Sequence, residues 1–181
     1  MVVTDSSVRI ARLAPSDLSA YKRLRDEALR LHPEAFDSDV ESERARPPES
    51  YLGRLGLSET LGGTFLLGAW DGNELVGMVG MERLSLTKLR HSAELNSMMV
   101  APLHTGRGIG IQLLHAAMAL ARQAIGLELV TLRVSTASKS AIRLYERVGF
   151  QGCGVVPHAI KLVDGPGQVR YHDKLTMVMI L

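Results

Sequence analysis

Aromatic residues are scarce, at 4% of the 181-residue chain, so the core must be built mainly from Leu, Val, Ile, Met and Ala. There is a single cysteine, Cys153. No intrachain disulfide can form, which suits a reducing compartment. Its Gly152-Cys153-Gly154 setting suits a bulge in a strand. No run approaches the roughly 18 apolar residues of a membrane span. Met1 to Ser7 has neither the basic start nor the apolar run of a signal peptide. A cytoplasmic protein with no membrane partner is the expectation. Charge of one sign is also lacking: the net charge is +2, and Arg23, Arg25, Asp26, Glu27 and Arg30 alternate as on a solvated helix face. Without a basic stripe, no nucleic-acid partner is expected. The six histidines are scattered and no Cys/His cluster has metal-ligand spacing, so no metal is expected. Repeats, low-complexity tracts and linkers are missing as well, and residues 1–181 read as one domain.

What is present is an alternation of short strands and amphipathic helices. Residues 8–13 alternate as a half-buried strand. Pro15, Ser16 and Asp17 punctuate a helix start. Leu18, Tyr21, Leu24, Ala28 and Leu31 then form one apolar stripe, ended by Pro33. Residues 37–50 read as a polar loop and 49–57 as a second short helix. Residues 64–70 and 75–81 read as strands joined by the turn Asp71-Gly72-Asn73. A loop over 83–90 leads to a strand over 93–100. A helix follows over 109–124, a strand over 128–134, and a helix over 138–148 ended by Gly149. Strands over 150–156 and 171–181 flank a Gly/Pro loop at 164–167. The order βααβββαβαββ predicts an α/β fold: about seven strands in a mixed central sheet, flanked by about four helices, the late strand–helix–strand crossover making its two strands parallel.

The most informative stretch runs from Met98 to Gly110: a strand, then Thr105-Gly106-Arg107-Gly108-Ile109-Gly110, then a long helix. Glycine permits positive φ and close approach of a ligand to the backbone. A helix start presents free N–H groups and partial positive charge. Together they suit a phosphate or pyrophosphate, with Arg107 adding a charged contact, although such a turn is also made where no ligand binds. Neither common nucleotide signature fits. No Gly-x-x-x-x-Gly-Lys-Ser/Thr run occurs. A Gly-x-Gly-x-x-Gly reading from Gly106 meets Ile111 at its third glycine, and one from Gly108 meets Leu113. Glu128, 20 residues beyond Gly108, does have the spacing of a ribose-binding acid.

The stretch resembles the Gln/Arg-x-x-Gly-x-Gly/Ala motif of GNAT acetyltransferases, with Thr105 in place of the usual Gln or Arg. A second stretch, Ser138 to Phe150, resembles that family's Asn-x-x-Ala-x-x-Leu-Tyr-x-x-x-Gly-Phe. Ala141, Leu144, Tyr145, Gly149 and Phe150 match, and Ser138 stands where Asn is usual. One helix and one strand separate the two stretches, as in the family. The resemblance implies acetyl-CoA as co-substrate and transfer of its acetyl group to a primary amine in one ternary complex, without an acyl-enzyme.

It further implies a splay beside strand 93–100 that admits the pantetheine to the backbone of Met98, Met99 and Val100. The pyrophosphate would lie at Thr105, Gly106, Arg107, Gly108, Ile109 and Gly110, with Ser138 and Tyr145 also at the cofactor. Tyr145 is the implied general acid for the thiolate, unless its ring merely packs. Glu94, eleven residues before Thr105, matches the position of a base in the histone-acetylating branch, or is a surface residue at a strand start. By strand alternation it should share a face with Asn96, Met98 and Val100. Members often dimerise, and the apolar end Met177 to Leu181 could pair across a two-fold axis or complete the sheet. The acceptor, a small molecule or a protein amine, is not readable. Two other readings remain: an acyl-CoA-binding regulatory module without turnover, and a nucleotide-binding oxidoreductase.

Overall fold

The structure, a computed structural model, describes residues 8–165 and 167–181. The reading of Met1 to Ser7 lies outside those residues, as does Pro166 of the Gly/Pro loop.

Among the described residues seven strands form one sheet: β1 (Arg9–Arg12), β2 (Phe65–Asp71), β3 (Glu74–Arg83), β4 (Ser92–Val100), β5 (Leu129–Ser135), β6 (Gln151–Gly165) and β7 (Gln168–Ile180). Their spatial order is β1-β2-β3-β4-β5-β7-β6. Among these strands β4 and β5 pair in parallel, as the crossover between them requires, and the other five pairs are antiparallel. The crossover helix is α3 (Ile109–Gln123), and α4 (Lys139–Val148) follows β5. On one face Leu113, Leu114 and Met118 of α3 pack on Val79, Met81, Leu95 and Val130. On the other, Tyr21 and Leu24 of α1 (Leu18–Leu31), with Tyr51 and Leu55, pack on Leu66, Met78 and Met99. Each such aliphatic burial stabilises by roughly 1.5–3 kcal/mol. Among the described residues no helix is long and apolar enough to cross a membrane.

Two elements differ from expectation near the N-terminal half. The loop at 37–50 contains a helix, α2 (Val40–Ala45), opened by Asp39, whose Oδ1 accepts from Ser42 N at 2.8 Å. Its sequence, Val-Glu-Ser-Glu-Arg-Ala, has no apolar period to reveal it. What anchors it is Glu43, a charged residue buried by pairing. The helix expected at 49–57 is a 3₁₀ segment, Pro48–Leu55, ended by Gly56 at φ 65°.

The last two strands are longer than expected, β6 running through Pro157 to Gly165. Pro157 is tolerated because β6 is an edge strand and the register shifts between Val156 and Ile160. A second shift, between Gly152 and Gly154, puts the exposed Cys153 in the expected bulge. β7 lies between β5 and β6, and its apolar end completes the sheet against β5, Met179 pairing with Val130 and Ile180 with Leu129.

Two irregularities in β4 shape the centre. Its pairing with β5 is limited to Ser92, Ala93 and Glu94 against Leu129, Val130 and Thr131. Beyond that rung β4 remains paired with β3 and β5 with β7, so the two parallel strands part. Against β3, Met78 pairs with Met99 and Gly80 with Asn96, leaving Ser97 and Met98 opposite Val79 alone. This is a bulge, and Ser97 takes φ 52° within it.

Candidate active site

The glycine turn adopts the conformation that its composition permits. Gly106 and Gly108 both have φ 76°, where a side chain costs roughly 1–2 kcal/mol. Gly108 caps α3, and Gln112 N is the first amide to close an α-helical turn, onto Gly108 O at 3.2 Å. The amides of Ile109, Gly110 and Ile111 are left for an external acceptor. Gly110 serves packing: a Cβ there would lie 3.1 Å from Leu144 Cδ2 and 3.3 Å from Met98 Cε, so its absence lets α3 start close against α4 and β4.

A groove of about 720 Å³ runs along this turn. Met98, Met99, Val100, Thr105, Gly106, Gly108, Ile109, Gly110 and Tyr145 all line it. Arg107 does not. Its Nη1 lies 3.4 Å from Asp71 Oδ2, drawn by a carboxylate that also lies 3.4 Å from His104 Nε2. The groove's cations are Arg143 and Arg147, one turn apart on α4. Their spacing of four on one helix face was the signal available in the sequence. The groove suits a long phosphate-bearing ligand: free amides at a helix start, two guanidiniums and an apolar floor.

Ser138 also departs from expectation. It is the N-cap of α4, makes no side-chain cap bond, and lines a second cavity rather than the groove. That cavity, of about 290 Å³, lies where β4 and β5 part, walled by Glu94, Asn96, Ser97, Arg133 and Ser135 and roofed by Arg25, Asp37 and Arg54. Groove and cavity share Ala35, Phe36, Met98, Ala141 and Tyr145, so they meet at Tyr145.

Tyr145 is 7% exposed, with its ring edge-on to Phe150 at 6.0 Å between centroids. Among the described residues its hydroxyl has no hydrogen-bond partner. Burial pushes the phenol well above the usual tyrosine range, so it stays protonated. Glu94 Oε1 accepts from Nε and Nη2 of Arg133, both at 3.3 Å. It does not share a face with Met98 and Val100. The bulge at Ser97 reverses the alternation: Met98 and Val100 pack towards α3, while Glu94 is opposite the inward Ala93 and Leu95.

Charges around the cavity are mostly paired. Arg133 Nη2 reaches Asp37 Oδ2 at 2.9 Å, and Lys174 bonds the other Asp37 oxygen. Burial opposes ionisation of Asp37, but these two cations outweigh it and hold the carboxyl below the ordinary range. Behind the roof, Arg25 Nε donates to Glu43 Oε2 at 2.9 Å, and Tyr51 donates to the same oxygen. Burial would raise Glu43, yet Arg25 and Tyr51 together bring it to about 2. Burial and the Glu43 carboxylate push Tyr51 up to about 12.

Residues 21–150 match the acetyltransferase (GNAT) family. The chain belongs to that family. A stretch of 89 residues is 38% identical to N-alpha-acetyltransferase RimI of Mycobacterium tuberculosis, covering 49% of this chain and 53% of that protein. Another, of 80 residues, is 35% identical to the uncharacterized N-acetyltransferase MJ1207 of Methanocaldococcus jannaschii, covering 44% and 35%. The chain thus spans about half or less of the curated relatives it matches. In fold this GNAT chain is similar to YncA of Salmonella typhimurium, whose structure holds its cofactor acetyl-CoA. The TM-score is 0.80 at 22% identity, covering 97% of this chain and 94% of that one. It is also similar to the ribosomal-protein-alanine N-acetyltransferase of Brucella melitensis, with TM-score 0.73 at 23% identity, covering 96% and 99%.

Proposed function

We propose that the chain is an N-acetyltransferase that takes acetyl-CoA in the glycine-lined groove and a primary amine in the smaller cavity, with direct transfer in a ternary complex. The observation that carries this reading is the meeting of the two spaces at the buried, protonated and unpartnered hydroxyl of Tyr145.

When bound, acetyl-CoA supplies an activated acetyl thioester. The amides at the start of α3 take its pyrophosphate, and Arg143 and Arg147 add charge-assisted contacts to phosphate. The backbone of Met98, Met99 and Val100, freed from β5 by the splay, is positioned to hold the pantetheine. Glu94 accepts a proton from the incoming ammonium, directly or through one water, in exchange for part of its contact with Arg133. The nitrogen then bonds to the acetyl carbon as the carbon–sulfur bond breaks, and Tyr145 gives its proton to the departing sulfur. The nitrogen then sheds its second proton, which restores the Tyr145 phenol, and Glu94 passes its proton to solvent, so an ammonium and a thioester become an amide, a thiol and one released proton. Burial suits this role twice, keeping the phenol protonated before transfer and the water near the thioester scarce. Cys153, exposed on β6, takes no part. A single exposed thiol fits the proposed cytoplasmic setting.

A module that binds acyl-CoA without turnover would have no use for the open hydroxyl of Tyr145 or for a charged cavity beside it. The test is release of free CoA with a broad amine panel, paired with the mass gain of one acetyl group on the acceptor. Binding of acetyl-CoA with no acetylated product from any amine would favour the binding module.

A further inference from the structure

Four cationic side chains line the smaller cavity: Arg25, Arg54, Arg133 and Lys174. Three face a carboxylate, Arg25 at Glu43, Arg133 at Asp37 and Glu94, and Lys174 at Asp37. Arg54 differs. Its Nη1 donates to Ser97 Oγ at 2.9 Å and approaches the Tyr21 hydroxyl at 3.5 Å, and its guanidinium lies 5.9 Å from the Tyr51 ring centroid. No described residue offers it a carboxylate, and its Nε and Nη2 bond none of them. A guanidinium in a semi-enclosed space without a counter-charge is a standing attraction for an anion, and its fork geometry fits a carboxylate.

Ser97 ties that site to the reaction. Its φ of 52° is an unfavourable conformation for serine, held by the bulge and by bonds from Arg25 and Arg54 to its hydroxyl. Its neighbour Met98 lines both spaces, so the free guanidinium sits beside the slot through which the acetyl group would pass. The acidic side chains in the same cavity, Asp37 and Glu94, suit an ammonium. One small cavity therefore offers a place for each end of a zwitterion.

We propose that the acceptor is a free amino acid whose carboxylate is taken by Arg54 while its amine is presented at Tyr145. This rests on the reading that the smaller cavity receives the amine. A peptide or protein N-terminus carries an amide where the free amino acid carries its carboxylate, and would leave Arg54 without a partner.

The test compares the proteinogenic L-amino acids with their own carboxamides, which stand in for a chain N-terminus. CoA release is read as turnover, and the melting temperature of the CoA complex as binding. At least one amino acid should react, with kcat/KM about 10- to 100-fold above its carboxamide. Arg54→Leu should collapse that ratio towards one through KM, and Arg54→Lys should restore part of it, while both variants keep the wild-type Kd for acetyl-CoA. Equal use of carboxamides or short peptides would overturn the proposal. So would an unchanged ratio in Arg54→Leu, or a panel in which no amino acid reacts or shifts the melting temperature. Acetyl-CoA binding is followed alongside. Its absence would overturn the transferase reading itself, whereas binding without an acid preference overturns only the acceptor.

Discussion

Glu94 pairs with Thr131 in the last rung that joins β4 to β5. The six residues of β4 beyond Glu94 have no partner on that side, and the space so opened joins the groove at the glycine turn to the charged cavity. A parallel pair that stayed zipped to Val100 would bury the backbone of Met98, Met99 and Val100 in the sheet. The candidate base therefore stands at the fork where the sheet opens.

The glycine turn predicts a sharp effect on the co-substrate alone. Gly108→Val forces a β-branched side chain to φ 76°, at a cost of roughly 1–2 kcal/mol in stability, and disturbs the amides at the start of α3. Calorimetry should show acetyl-CoA binding at least about 10-fold weaker, from the loss of one or more hydrogen bonds to charge. An unchanged Kd in a folded variant would contradict the placement of the pyrophosphate.

The three candidate phosphate cations can be told apart. Arg107 is engaged with Asp71, so Arg107→Ala should leave the acetyl-CoA Kd near wild type. Arg143→Ala and Arg147→Ala should each weaken it by about 3- to 10-fold, more at low salt than at high. The reverse ranking would restore Arg107 to the site and remove α4 from it.

This contrast shows what the sequence reveals and what it hides. The turn and the Tyr145–Gly149–Phe150 run are legible because they are local: glycine reports backbone conformation, and a helix end reports itself by its cap. The bulge at Ser97 is not, because Ser92 to Val100 reads as an unbroken strand and only the register against β3 shows the extra residue. The faces assigned to Met98 and Val100 relative to Glu94 fail for that reason. α2 was invisible because its one buried functional group is a carboxylate, Glu43, whose partner Arg25 is eighteen residues away in sequence. Arg107 lies inside the motif and Arg143 outside it, yet tertiary contacts decide which one reaches the groove.

Glu43 carries a prediction about acid stability. Its folded pKa of about 2 lies below the ordinary 4.5, so its stabilising contribution is complete above that value and lost as pH falls towards 2. The span corresponds to about 3 kcal/mol. Urea midpoints should fall over that acid window in the wild type. In Glu43→Gln the slope should shrink, and stability at neutral pH should drop by about 3–5 kcal/mol because Arg25 is left buried without its partner. A wild-type profile in the variant would show that the pair contributes nothing.

Glu94→Gln keeps size and hydrogen bonding but removes basicity. If Glu94 is the base, turnover should fall most at neutral pH, where the amine is protonated, by about 100-fold or more, and recover in alkali. Because Arg133 holds the carboxylate, a purely positioning role would instead lower the rate alike at every pH. That outcome, or no defect at all, would remove Glu94 from the chemistry.

The most direct test of the account is Tyr145→Phe, read as acetyl-CoA affinity by calorimetry and as turnover with a reactive amine. The variant keeps the ring that packs on Phe150 and loses only the proton at the junction of groove and cavity. The account predicts a near-wild-type Kd and a kcat lower by about 100-fold or more. Wild-type turnover across the pH range would contradict it and leave Tyr145 a packing residue.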